Sequence, residues 1–344
     1  MINFQCDYLE GAHPKILERL AETNFQQAPG YGNDPFCESA RAKIRLACAA
    51  PEADIHFLSG GTQTNLIVIS SILKPYQGVL AADSGHIACH ETGAIEACGH
   101  KVLTLPAKSG ILSGEQIRQA IAGHRENPMK EHCVQPGMVY ISFPTEDGAL
   151  YRLEELEDLS RACRENGLPL YLDGARLGYA LACPENDIAL ADLSRLCDAF
   201  YIGGTKCGAL LGEALVIPCG DLKKDFRYHI KQRGGMLAKG RLLGLQFDTL
   251  FTDDLYTDIC QNAIVQAMAI RRAFEAKGIP MLGDSRTNQQ FPILTIEQRR
   301  RLGETYVFEY WAPYDGERAV VRVCTSWATP PKNTEGLIAD ILSL

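Results

Sequence analysis

The 344-residue chain reads as an α/β protein with a mainly parallel sheet covered by helices on both faces, followed by a small α+β domain at the C-terminus. Three observations predict this. Apolar runs of strand length alternate with segments of helical period from about residue 54 to 217, the pattern of strands joined by crossover helices. Several of these runs end in glycine and then in polar side chains, where ligands meet such sheets. Past residue 250, a long helical stretch over about 254–277 leads to strand-like segments at 291–296, 305–311 and 320–325. We expect a large domain over 1–250, with an N-terminal arm over 1–30, and a linking helix plus small domain over 251–344.

In chain order, an extended piece to residue 10 precedes Ile16, Leu17 and Leu20 at helical spacing behind Pro14. The loop Gly30-Tyr31-Gly32-Asn33-Asp34-Pro35 then opens a helix over about 36–48. A strand at 54–58 runs into Ser59-Gly60-Gly61-Thr62 and an apolar helix. Small residues at a helix start let the backbone approach an anion, and the unpaired N–H groups and the Thr62 hydroxyl can donate to it. The spacing fits neither a Walker loop nor a dinucleotide fingerprint. A strand near 78–82 leads to His86 and His90, four apart, which on a helix could face one metal; no third ligand is evident. A strand at 101–107, an amphipathic helix at 113–124 and a strand at 138–143 follow, the last ending at Pro144-Thr145-Glu146-Asp147-Gly148. Leu153, Leu156, Leu159 and Cys163 mark one face of a helix over 153–165.

Two strand ends carry the chemistry. The run 168–172 ends in Asp173, with Arg176 three positions on, and the run 198–202 ends in Gly203-Gly204-Thr205-Lys206. A lysine among Gly, Ala, Cys and Leu is partly desolvated, which favours the neutral amine that attacks carbonyls. A carboxylate on a second strand end supplies the partner that a pyridinium nitrogen needs, so together they form the residue set of a pyridoxal 5'-phosphate site. Read singly, Lys206 also suits a lysine reaching to solvent, and Asp173 with Arg176 an ordinary ion pair. Arg322, inside Val320-Val321-Arg322-Val323, needs a partner there: a substrate carboxylate or a packing ion pair. The stretch 231–241 is a basic, glycine-broken join suited to phosphate, to an interface or to plain solvation.

The pair Asp173-Gly174-Ala175-Arg176-Leu177 and Ile202-Gly203-Gly204-Thr205-Lys206, in this order, resembles the L-threonine aldolase and β-eliminating lyase family of fold-type-I pyridoxal phosphate enzymes, whose large domain is aspartate-aminotransferase-like. The likeness runs from Asp7 to Arg322 and includes a Gly-Thr-x-x-Asn at 61–65. It implies that Gly60, Gly61, Thr62 and Thr205 contact the cofactor, that His86 lies on its ring, that Glu91 matches a family glutamate, and that Arg176 assists near the ring oxygen or the substrate carboxylate. Arg322 would grip that carboxylate. Tyr31 would reach a neighbouring subunit's site in a homodimer or homotetramer; a surface turn is the other reading. Many threonine aldolases carry His-Asn where this chain has Glu146-Asp147, which puts the base in question: His86 is favoured, with Glu146 orienting the substrate's β-hydroxyl. The implied activity is cleavage of a β-hydroxy-α-amino acid to glycine and an aldehyde. A β-eliminating lyase, an aminotransferase or a cofactor-binding protein without turnover stay open.

Composition narrows partners. With 46% hydrophobic and 22% charged residues and a net charge of −8, the chain lacks the basic surface that nucleic acid or an anionic membrane would require. No run approaches a membrane span, and the start lacks the basic and apolar regions of a signal peptide, so a cytoplasmic location is expected. Thirteen cysteines, without a Cys-x-x-Cys, fit buried thiols in a reducing compartment.

Overall fold

The computed structural model describes residues 1–344. Its strands, in chain order, are β1 (Ile2–Asn3), β2 (Asp54–Leu58), β3 (Gln77–Ala82), β4 (Val102–Leu105), β5 (Gln135–Ser142), β6 (Leu170–Asp173), β7 (Ala199–Gly203), β8 (Glu213–Ile217), β9 (Gln289–Gln290), β10 (Ile293–Thr295), β11 (Tyr306–Val307), β12 (Glu309–Pro313) and β13 (Arg318–Cys324). Seven of them form one sheet in the order β2-β8-β7-β6-β5-β3-β4. Only β8 runs against the rest, pairing antiparallel with both β2 and β7. The C-terminal ends of β2, β3, β5, β6 and β7 therefore share one edge, and the first residue of β8, Glu213, joins them there.

Strand periodicity sorts the sheet's side chains into two cores. Val139, Ile141, Leu170, Leu172, Phe200 and Ile202 face one helical layer. Their alternates Met138, Tyr140, Tyr171, Ala199 and Tyr201 face the other, which the helix Gly61–Ile72 covers with Ile67, Val68 and Ile69. Three tyrosines on neighbouring strands thus form a row, with Tyr140 and Tyr171 ring centroids 5.8 Å apart and Tyr171 and Tyr201 6.5 Å apart.

The helix Leu153–Glu165 has the bounds its periodicity predicts, and Ser113 closes a capping box with Gln116 before the helix Gly114–Glu126. The expected strand at 305–311 is two pieces, β11 and β12, and that at 291–296 is divided between β10 and the start of the helix Ile296–Gly303. β12, β13 and β10 make a small antiparallel sheet, with β9 on the end of β13. The helix Leu255–Ala276 spans two cores: Leu255, Tyr256, Cys260, Ala263 and Ile264 lie in the large one, Ile270, Ala273 and Phe274 in that of the C-terminal sheet. The chain start belongs to the latter core too. β1 runs parallel to β11, and Phe4 packs with Tyr306.

Two glycines bring the ends of β6 and β7 together. A Cβ at Gly174 would stand 1.9 Å from the Tyr201 carbonyl oxygen, and one at Gly203 would stand 2.3 Å from that of Ala175. Gly174→Ala should therefore cost on the order of 3 kcal/mol or more through a backbone clash. Gly123, exposed within a helix with open space around its Cβ position, should gain about 0.5–1 kcal/mol on replacement by Ala. Thermal unfolding followed by circular dichroism checks both: the melting temperature should drop or the folded yield collapse for the first, and rise by a few degrees for the second.

Candidate active site

Asp173 ends β6 with both carboxylate oxygens engaged. Oδ2 accepts from the Tyr140 hydroxyl at 2.7 Å and from Asn65 Nδ2 at 3.1 Å; Oδ1 accepts from the Tyr201 hydroxyl and from the Ala175 N–H at 3.0 Å. Burial alone would raise its pKa, but the charge of His86 and the bonds from Tyr201, Tyr140 and Asn65 outweigh it and hold the group below the usual carboxylate range. Tyr140 has another acceptor within reach, Ser142 Oγ at 3.3 Å, so Asp173 can exchange that bond for a new donor.

Asn65 extends the network. Its amide donates to Asp173 and, at 2.8 Å, to Glu91 Oε1, and its oxygen accepts from the Tyr171 hydroxyl at 2.8 Å. Glu91 Oε1 also lies 3.1 Å from His86 Nδ1, while Glu91 Oε2 is buried without a partner. A carboxylate at Nδ1 makes that nitrogen the donor and leaves the lone pair of the neutral ring on Nε2. For His86, burial disfavours the imidazolium, yet the Glu91 hydrogen bond and the Asp173 charge prevail and raise its pKa above the ordinary value.

Above this network opens a cavity of about 280 Å³ lined by Tyr8, His86, His90, Glu146, Arg176, Lys206, Glu309, Trp311 and Arg322. Lys206 sits on the turn just after β7 rather than on the strand itself. Burial, with the positive charge of Arg176, lowers its pKa, so the neutral amine is more accessible than in a free lysine. Behind it Glu213 accepts from the Gly204 N–H at 3.0 Å and from the Thr205 hydroxyl at 2.9 Å, and burial pushes the Glu213 pKa up to about 8. The Thr205 hydroxyl proton is thus committed to Glu213, and its oxygen accepts from the Gly212 N–H at 3.0 Å.

Arg176 is held by the N-terminal arm. Its Nε and a terminal nitrogen donate to the two oxygens of Asp7 at 2.7 and 3.1 Å, and Asn288 Nδ2 donates to the same carboxylate at 2.9 Å. Burial would raise the Asp7 pKa, but the charges of Arg176 and Lys206 bring it down to about 2. Arg322 donates to Gln289 Oε1 at 3.1 Å and to the Gln5 carbonyl at 3.3 Å, and pairs with Glu309. Glu146 Oε1 accepts from Ser142 Oγ at 2.7 Å and from the His86 backbone N–H at 3.1 Å, and burial raises its pKa, which makes it a better proton acceptor than a free carboxylate.

Gly60, Gly61 and Thr62 begin the helix Gly61–Ile72 at the same sheet edge but do not line the cavity. A Cβ at Gly61 would meet the Tyr201 hydroxyl at 2.8 Å, so glycine there is what lets that hydroxyl reach Asp173. Tyr31 lies elsewhere in this chain, its ring 4.6 Å from Lys231 Nζ, beside Arg227 and Met236. The sequence reading did not assign site roles to Asn65, Tyr140, Tyr201, Asp7 or Glu213. An asparagine in an apolar helix stripe and a tyrosine row at period two were the available signals; Asp7 and Glu213 gave none, since their partners are fixed only by the fold.

The chain matches the family profile described as beta-eliminating lyase over residues 3–300. The chain belongs to that family. A low specificity L-threonine aldolase of Pseudomonas aeruginosa is 29% identical over 348 residues, covering 98% of this chain and 96% of that protein. One from a Pseudomonas sp. is 31% identical over 256 residues, covering 73% and 71%. The structure of Leishmania major threonine aldolase superposes with a TM-score of 0.96 at 44% identity, covering 99% of this chain and 98% of the other. Aspartate aminotransferase of Thermus thermophilus, at 15% identity and a TM-score of 0.71, shares the fold alone. By family the chain is a pyridoxal phosphate-dependent lyase of fold type I. Its residues fit that cofactor: Asp173 is ionised with an exchangeable bond, Glu91 Oε2 is buried and unpartnered, and the Lys206 amine has no hydrogen bond within the chain.

The His86–Glu91 pair can be tested directly. Nuclear magnetic resonance titration should give His86 an apparent pKa above about 6.5 in the cofactor-free protein, and Glu91→Gln should lower it. An unmoved value in the variant means that the carboxylate is not what holds the proton.

Proposed function

We propose that this chain cleaves the Cα–Cβ bond of a β-hydroxy-α-amino acid, giving glycine and an aldehyde, the reaction in the name of its threonine aldolase relatives. The observation that carries the reading is one cavity with Lys206, His86 and Arg322 on its walls and the ionised Asp173 beneath. Lys206 would hold the cofactor's aldehyde, Asp173 its ring nitrogen, His86 its ring face, and Gly60, Gly61 and Thr62 its phosphate. When bound, pyridoxal phosphate supplies an electron sink for the pair left at Cα.

The chain's own residues do the rest. Arg322 binds the α-carboxylate and fixes which bond to Cα is presented for cleavage. His86 Nε2 takes the β-hydroxyl proton, because Glu91 keeps the other ring nitrogen as a donor. Glu146 orients that hydroxyl, its Oε1 already fixed by Ser142 and the His86 backbone. Asp7 keeps the Arg176 fork in place beside Lys206. We further propose a homodimer or homotetramer with sites near the subunit interface, supported by the exposed Tyr31 and Tyr228 beside Lys231. A cytoplasmic location is supported by thirteen cysteines, all of them free. We also propose a division of the chain at about residue 250, supported by the two separate cores that the helix Leu255–Ala276 joins.

Purified, cofactor-loaded protein given L-threonine or L-allo-threonine should release acetaldehyde and glycine in equal amounts. Pyruvate and ammonia from serine or cysteine, without acetaldehyde from threonine, would instead identify an eliminating lyase. Borohydride reduction and peptide mapping should find the adduct on Lys206; an adduct on another lysine overturns the assignment.

The two proton-handling groups separate by substitution. His86→Ala should lower kcat on the order of a hundredfold or more. Glu146→Gln should slow the reaction modestly and change the ratio of threonine to allo-threonine cleavage. The reverse pattern would make Glu146 the base.

A further inference from the structure

Four side chains on the cavity wall have no part in the chemistry above: Tyr8, His90, Glu309 and Trp311. Glu309 stands directly across from Arg322 in the β12–β13 register, and their charged groups form an ion pair. The two partners are unequally held. The Arg322 side chain is 9% exposed, bonded to Gln289 and to the Gln5 carbonyl, with its guanidinium carbon 5.2 Å from the centre of the Trp311 ring. The Glu309 side chain is 38% exposed, and its carboxylate has no hydrogen-bond partner in the chain other than Arg322. A register shift between Tyr310 and Ala312 follows, so Trp311 is the extra residue of a bulge, and its ring sits 5.9 Å from that of His90.

We propose that Glu309 is an internal competitor for the substrate's α-carboxylate: it occupies the Arg322 fork in the resting protein and swings to solvent when a ligand carboxylate takes its place. This rests on the assignment of Arg322 to that carboxylate. A buried arginine left without a counter-charge is costly, so the resting site needs an anion. A fixed guanidinium with a half-exposed partner makes the partner the one that leaves. Exchange of one carboxylate for another means that only the difference between the two contacts appears as affinity. The fork therefore stays charge-balanced in both states, and amino acids are bound more weakly than an unopposed arginine would bind them.

The test titrates the cofactor-loaded protein with glycine, which carries a carboxylate, and with methylamine, which does not, reading the visible absorption of the cofactor. Glu309→Gln and Glu309→Ala should each tighten glycine on the order of three- to tenfold and leave the methylamine curve in place. Unchanged or weaker glycine binding in both variants, or equal tightening of both ligands, overturns the proposal. Acetaldehyde release from threonine by the unsubstituted protein is measured in parallel. Its absence would defeat the aldolase reading without touching the comparison of the two amines, whereas cleavage with unaltered glycine binding would defeat only the role of Glu309.

Discussion

Asp173 keeps a negative charge where water does not reach, and the surrounding architecture follows from keeping it there. A carboxylate taken out of water stays ionised only if nearby donors and cations replace the lost solvation. Tyr140 and Tyr201 supply hydroxyls from the strands flanking β6, and Asn65 supplies an amide from the covering helix. Their placement needs three adjacent strands in register, the tyrosines on the same face, and glycine at position 61 for the close approach of the Tyr201 hydroxyl. His86 then completes the balance from the start of the short helix His86–Cys89 that follows β3, itself held by the second buried carboxylate, Glu91.

This dependence explains what the sequence disclosed. Strand ends at Asp173 and before Lys206 were legible because apolar runs that stop at glycine are local signals, and the parallel order follows from alternation with helices. Arg322 has the ion-pair partner that its place among valines demanded, and it also faces the cavity. Asp7 was illegible as a partner of Arg176, since 169 residues separate them and no periodicity links the two. The split of the expected strand at 305–311 was hidden for a similar reason: Tyr306 and Val307 pair with the chain start, whereas Glu309 onward pairs with β13. Tyr31, whose expected role involved a neighbouring subunit, sits with Arg227 and Lys231 rather than in this chain's own cavity.

The site is thus assembled from two kinds of support. The sheet edge fixes Asp173, His86, Glu146 and Lys206 through short loops, with Glu213 anchoring the turn that carries the lysine. The rest of the site is built from the C-terminal sheet and the first ten residues, through Arg322, Glu309, Trp311, Gln5, Asp7 and Tyr8. The Asp7–Arg176 pair crosses between these two bodies, whose apolar cores are separate.

The arm has a consequence for how the molecule comes into being. Residues 2 and 3 are made long before the strand they pair with, which begins at Tyr306. During synthesis Arg176 can emerge long before β11 exists, and the Asp7 segment is then held only on its C-terminal side, where the His13 N–H donates to the Gly208 carbonyl and Ile16 packs into the large core. The growing chain carries a half-built charge pair until β11 leaves the ribosome, and only then can β1 dock.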